Sequence, residues 1–133
     1  MPANRHVNPA SIAPPRGYTH VVETSGPGRT IYVAGQLGLT PDGKMAEGFR
    51  GQATQAFENV KAALAEVGAD WSHVVKITTY FTDMADLQTY FEIRNTFVNT
   101  KAPPASTAVQ IVRLAREGAV FEVEAIAVVP DAR

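Results

Sequence analysis

The sequence predicts one α+β domain of order ββαβαββ, with two helices covering one face of a single mixed β-sheet. Three observations predict it. A helix-period apolar stripe starts at Ala53, β-branched and aromatic runs flank it, and the closing strand is apolar on one whole face.

Residues 1–17 are rich in proline and show no period, so they read as an irregular arm. Tyr18 to Glu23 (YTHVVE) and Thr30 to Gln36 (TIYVAGQ) are strand-like. The turn chemistry of Ser25 to Arg29 between them predicts a hairpin. Thr40-Pro41-Asp42-Gly43 is a further turn. Ala53, Ala56, Phe57, Val60, Leu64 and Val67 recur at intervals of three and four, the stripe of a helix that Gly68 ends. Val74 to Phe81 (VVKITTYF) is β-branched and aromatic, hence a strand. Asp83 is placed to start a second helix, with Leu87, Phe91, Arg94 and Val98 on one stripe and Tyr90 and Phe97 beside it. Lys101-Ala102-Pro103-Pro104 stops that helix. Ser106 to Leu114 and Ala119 to Val129 complete the strands. Lone Trp71 is read as a cap over the end of the first helix.

In the last strand, Ala119, Phe121, Val123, Ala125, Ala127 and Val129 form a wholly apolar face. The opposite face, Val120, Glu122, Glu124, Ile126 and Val128, is mostly apolar as well. Two helices can cover only one of these faces. The other is therefore expected to meet a second subunit.

Composition narrows the functional classes. With 133 residues, 45% hydrophobic and 19% charged, the chain is expected to fold as one domain over residues 1–133, without internal repeats or linkers. A net charge of −1 leaves no basic excess to neutralise phosphates, so no nucleic-acid partner is expected. No apolar stretch approaches the length of a membrane span, and the first residues lack the apolar segment of a signal peptide. A cytoplasmic protein is expected. There is no cysteine, which excludes disulfides and thiolate chemistry. His6, His20 and His73 are scattered and form no ligand pattern, so no metal is expected.

Several segments together resemble the RidA/YjgF family, also called the endoribonuclease L-PSP family. They are Pro15-Arg16-Gly17-Tyr18, the strand Ile31 to Gln36 (IYVAGQ), the helix Ala53 to Gly68, the strand Val74 to Asp83, and Phe121 to Val128 (FEVEAIAV). The match runs in order over nearly the whole chain. The resemblance implies a homotrimer similar to a chorismate-mutase barrel, with a cleft for a small molecule between neighbouring subunits. It also implies hydrolysis of enamines and imines such as 2-aminoacrylate to 2-keto acids and ammonia, with no cofactor.

In the family an arginine of a P-A-R segment grips the substrate carboxylate with a bidentate fork. Here the segment reads Pro104-Ala105-Ser106-Thr107-Ala108-Val109, and Ser106 stands at the arginine position. A serine hydroxyl supplies neither charge nor fork. Arg16 is the best-placed substitute, whereas Arg113 is out of phase with Ser106. The resemblance carries Glu122 onto the glutamate that positions the hydrolytic water, Tyr18 onto a cleft-lining tyrosine, and Gly35 onto a glycine whose backbone approaches the ligand. Read from the residues alone, these four are a loop charge, a surface or interface carboxylate, a core aromatic and a glycine of a turn or of close strand packing. Glu124 is read as structural. Phe91 replaces an asparagine common among relatives, and Ala108 a cysteine or threonine, so the cleft is less polar.

Two functions are therefore expected to compete. One is a divergent deaminase-type hydrolase with weak or absent activity on 2-aminoacrylate. The other is a non-catalytic module that holds a small ligand in the same cleft. A ribonuclease role finds no basic groove, histidine pair or stacking platform in this sequence.

Overall fold

A computed structural model describes residues 4–131. In chain order the elements are β1 (Arg5–Val7), β2 (Val21–Glu23), β3 (Gly28–Leu37), α1 (Gly48–Glu66), β4 (Val74–Phe81), α2 (Leu87–Arg94), β5 (Ala105–Gln110) and β6 (Phe121–Pro130), with single 3-10 turns at Trp71–His73 and Met84–Asp86. The predicted order is present, preceded by one short strand. The class is α+β: a four-stranded mixed sheet of order β3-β6-β4-β5 under two helices.

The apolar alternation of β6 explains its central place. It pairs antiparallel with β3 and with β4, and β4 pairs in parallel with β5. Phe121, Val123, Ala125 and Ala127 are buried under the helices, together with Ile77 and Phe81 of β4 and Val33 of β3. From α1, Ala53, Ala56, Phe57, Val60 and Leu64 meet them, which is the predicted stripe. Gly68 closes α1 at φ +78, and the Ala69 amide donates to the Leu64 carbonyl. Phe57 sits among Trp71, Tyr90, Phe97 and Phe121, with ring centroids 5.1–6.1 Å away. Trp71 is thus a core residue as well as a cover for the helix end.

Three sequence expectations are corrected. The hairpin between Tyr18 to Glu23 and Thr30 to Gln36 does not form: β2 pairs with β1, and β3 pairs with β6. Turn chemistry is local, but β3 can bury Ile31 and Val33 only alongside the apolar β6, and that non-local gain decides the pairing. The arm read as irregular accordingly contributes β1. The inward face of α2 is also rotated from the stripe expected. Tyr90, Ile93 and Arg94 are buried, while Phe91 is only partly covered. Asp83 does start this region, accepting a hydrogen bond from the Ala85 amide at 2.9 Å.

The sheet face away from the helices carries Glu122, Glu124, Ile126 and Val128 of β6. Paired residues of β3 and β4 share it, among them Tyr80 and Tyr32, the latter 76% exposed. No helix among the described residues is long and apolar enough to cross a membrane.

Candidate functional site

The seven residues singled out in the sequence fall into two groups. Gly35 and Glu122 form the first, on the open face of the sheet. β3 is irregular between Val33 and Gln36, and Gly35 lies in that irregularity, against β6. A Cβ at Gly35 would overlap the Glu122 carboxylate, coming within 2.8 Å of its Cδ, so a glycine is required for the carboxylate to lie there. Glu124 shares the face and accepts a hydrogen bond from Tyr80 Oη at 3.0 Å. Partial burial, and then the charge of Glu124, raise the Glu122 pKa above the ordinary glutamate value. A carboxylate with a raised pKa beside a bare backbone can hold a water molecule and take its proton.

The second group lies at the β5 edge on the helix side. Ser106 pairs with Ile77 and Ala108 with Thr79, both of which face the helices, so Ser106 and Ala108 face them too. Arg16, Gly17 and Tyr18 run along this edge as a strap. Thr19 fastens it: its amide donates to the Pro104 carbonyl at 3.2 Å and its hydroxyl to the Pro103 carbonyl. Arg16, Gly17, Phe91, Arg94 and Asn95 line a cavity of about 200 Å³ between strap and α2. Tyr18 is half-buried, its ring edge-on to His20 at 5.3 Å.

Arg94 is the site residue that sequence reasoning did not single out. It is 2% exposed. Its guanidinium donates to the Gly17 carbonyl and to Asn95 Oδ1, the latter at 2.7 and 3.2 Å, and lies over the Phe91 ring at 5.0 Å. Burial lowers its pKa, and neighbouring Tyr90 works in the opposite direction. The Tyr90 hydroxyl is buried without a hydrogen-bond partner. Thr79, Ser106 and Arg94 are its polar surroundings, and burial is the main cause of its raised pKa. The sequence signal was an arginine on the apolar stripe of α2, where a solvated charge does not belong.

A larger cavity, about 420 Å³, lies elsewhere, between Glu58, Lys61, Trp71 and Phe97, and touches none of these residues. No group of three or more histidine, aspartate or glutamate side chains that could hold a metal ion occurs among the described residues.

A small α+β domain with a carboxylate poised on the sheet's open face and an arginine-lined cavity at its edge is the class of protein these features define. The sequence matches the family described as Endoribonuclease L-PSP over residues 8–129, and the chain belongs to that family, RidA/YjgF. It is 39% identical to the 2-iminobutanoate/2-iminopropanoate deaminase of Mus musculus, over 90% of this chain and 84% of that one. The crystal structure of the Rid-family protein YyfB from Yersinia pestis superposes with a TM-score of 0.85 at 29% identity, covering 95% of this chain and 98% of that one. E. coli TdcF with bound serine superposes with a TM-score of 0.68 at 31% identity, over 78% of this chain and 89% of that one.

Proposed function

We propose that this protein is a cytoplasmic, homotrimeric hydrolase of the imine-deaminase type, whose substrate lies between Glu122 and Gly35 of one subunit and the strap edge of its neighbour. The observation that carries the reading is the Glu122 carboxylate, held partly buried against the Gly35 backbone. The two groups of site residues lie on opposite sides of one chain's sheet, so a ligand touching both requires a second copy. Water held by Glu122 adds to the imine carbon, its proton passes to the carboxylate, and the C=N electron pair moves to nitrogen. Glu122 returns the proton to nitrogen. It then takes the hydroxyl proton of the tetrahedral adduct and passes it to the same nitrogen, so that the C–N bond breaks, ammonia leaves and the oxygen electron pair forms the ketone. No cofactor takes part in this scheme. With Ser106 in place of the strand arginine, 2-aminoacrylate is a poor substrate.

The test couples a dehydratase that generates the imine to this protein and follows keto-acid release. Wild type is expected to be slower than an arginine-bearing relative, and Glu122→Gln to abolish what turnover there is. Turnover equal to such a relative would contradict the reading of Ser106, and an active Glu122→Gln would contradict the reading of Glu122.

The pH profile follows from the same group. Because folding raises the Glu122 pKa, its proton is lost only as pH rises through the raised value. Stability tied to that proton is complete below the ordinary glutamate pKa and lost over the same rise. Activity that needs the carboxylate should therefore climb with pH along a limb placed above the ordinary glutamate range. Glu124→Gln removes one of the two causes and should move the limb to lower pH; an unmoved limb would assign it to another group.

A further inference from the structure

We propose that Arg94, with Arg16 beside it, binds the carboxylate of a small organic acid in the cavity between the Arg16–Gly17 strap and α2. The proposal rests on the deaminase-type reading only for the substrate class it names; the binding site stands or falls separately.

Four features of Arg94 point to an anion. No carboxylate among the described residues lies within ion-pair distance of it or of Arg16. A buried charge left without a counter-ion is costly, and a ligand carboxylate would complete the pair. Second, the side chain is held ready. The Gly17 carbonyl, Asn95 and the Phe91 ring fix its guanidinium, yet its three hydrogen bonds leave two of the five N–H donors of an arginine for the neighbouring Tyr90 hydroxyl and a ligand. A carboxylate takes two parallel N–H donors in the same plane.

Third, the strap is shaped around it. Gly17 has φ +76, and a Cβ there would come within 2.9 Å of Arg94 Nη2, so only glycine lets the chain pass this close. Thr19 then pins the strap to Pro103 and Pro104, two residues before Ser106. Fourth, the cavity of about 200 Å³ has two arginines and one aromatic ring in its lining and no acid. That is below the usual span of sites for drug-sized ligands, so the occupant is small.

Ser106 explains why the cation comes from the helix. It faces α2, and the buried Tyr90 hydroxyl has both Ser106 and Arg94 among its polar neighbours. A guanidinium is thus supplied to the same side of β5 from α2, at a place other than the strand position, so it does not restore the grip on which 2-aminoacrylate depends. This predicts that Ser106→Arg would set a second cation beside Arg94 rather than restore a lost one.

The test uses 2-oxobutanoate, a keto acid that cannot be deaminated, titrated into full-length wild-type protein while the Arg94 Nε–Hε resonance is followed by NMR. The expected result is a saturable shift of that resonance, not produced by butanone, which lacks the carboxylate. Arg94→Lys, which keeps the charge but loses the fork, should weaken binding by about tenfold or more, with its fold checked by thermal melting. An unmoved resonance, or affinity in folded Arg94→Lys within about twofold of wild type, overturns the proposal. Inorganic phosphate binding more tightly than the keto acid overturns the carboxylate assignment. Arg94-dependent binding in a protein that hydrolyses no imine would support this site and refute the deaminase reading. Imine turnover with an unchanged KM in Arg94→Lys would do the reverse.

Discussion

Phe57→Ala is expected to lower the unfolding free energy by about 3–5 kcal/mol, the usual cost of emptying a fully buried phenylalanine site. Phe57 is where α1, α2 and the sheet meet. Its ring packs against Trp71 from the turn before β4, Tyr90 and Phe97 from the second helical region, and Phe121 from β6. These partners are themselves large and locked against one another, so the void cannot close by a local collapse. A loss of this size is a large share of the total stability of an ordinary domain. Urea titration should show a lower midpoint with little change in slope. A loss under about 1 kcal/mol would mean that the aromatic cluster relaxes far more freely than its packing implies.

Gly35→Ala is expected to have the opposite profile: about a hundredfold loss of turnover with a nearly unchanged melting temperature. The added methyl would meet the Glu122 side chain first, since the three atoms nearest to it are the Oε2, Cδ and Cγ of that residue. That side chain can swing away, so the fold survives. The carboxylate, however, leaves the place where it holds water, and a displacement of about 1 Å at a reacting group costs roughly this factor. Steady-state kinetics and a thermal melt on the same preparation separate the two effects. Unchanged turnover would remove Glu122 from the chemistry.

Much of the fold could be read from the sequence because its decisive patterns are local and periodic. The α1 stripe and the alternation of β6 each bury one face, and no other folding of those runs does so. Gly68 ended α1 as its position implied. The pairing of β3 could not be read this way, because the turn at Ser25 to Arg29 looks the same whichever strand follows it. What decided it was the apolar face of β6, about a hundred residues along the chain.

The site divides similarly. Glu122 and Gly35 were visible through motif position, and the structure brings them into contact. Arg16 and Phe91 were visible too, and they share a cavity. Arg94 was not, because its meaning depends on the Gly17 carbonyl, 77 positions earlier in the chain. Its place on the apolar stripe of α2 implied burial, but nothing nearby in the sequence marks it as lacking a counter-ion.

The open face of the sheet decides whether one chain can hold the ligand. Glu122, Ile126 and the exposed Tyr32 lie there, and the residues that would grip a ligand's carboxylate lie on the other side. One chain therefore cannot form the site proposed. Sedimentation equilibrium of the purified protein at micromolar concentration tests this most directly. A single species of about 43 kDa is expected, three chains of 14.3 kDa each. A species of 14.3 kDa would contradict it, because Glu122 and Arg94 would then never face the same ligand.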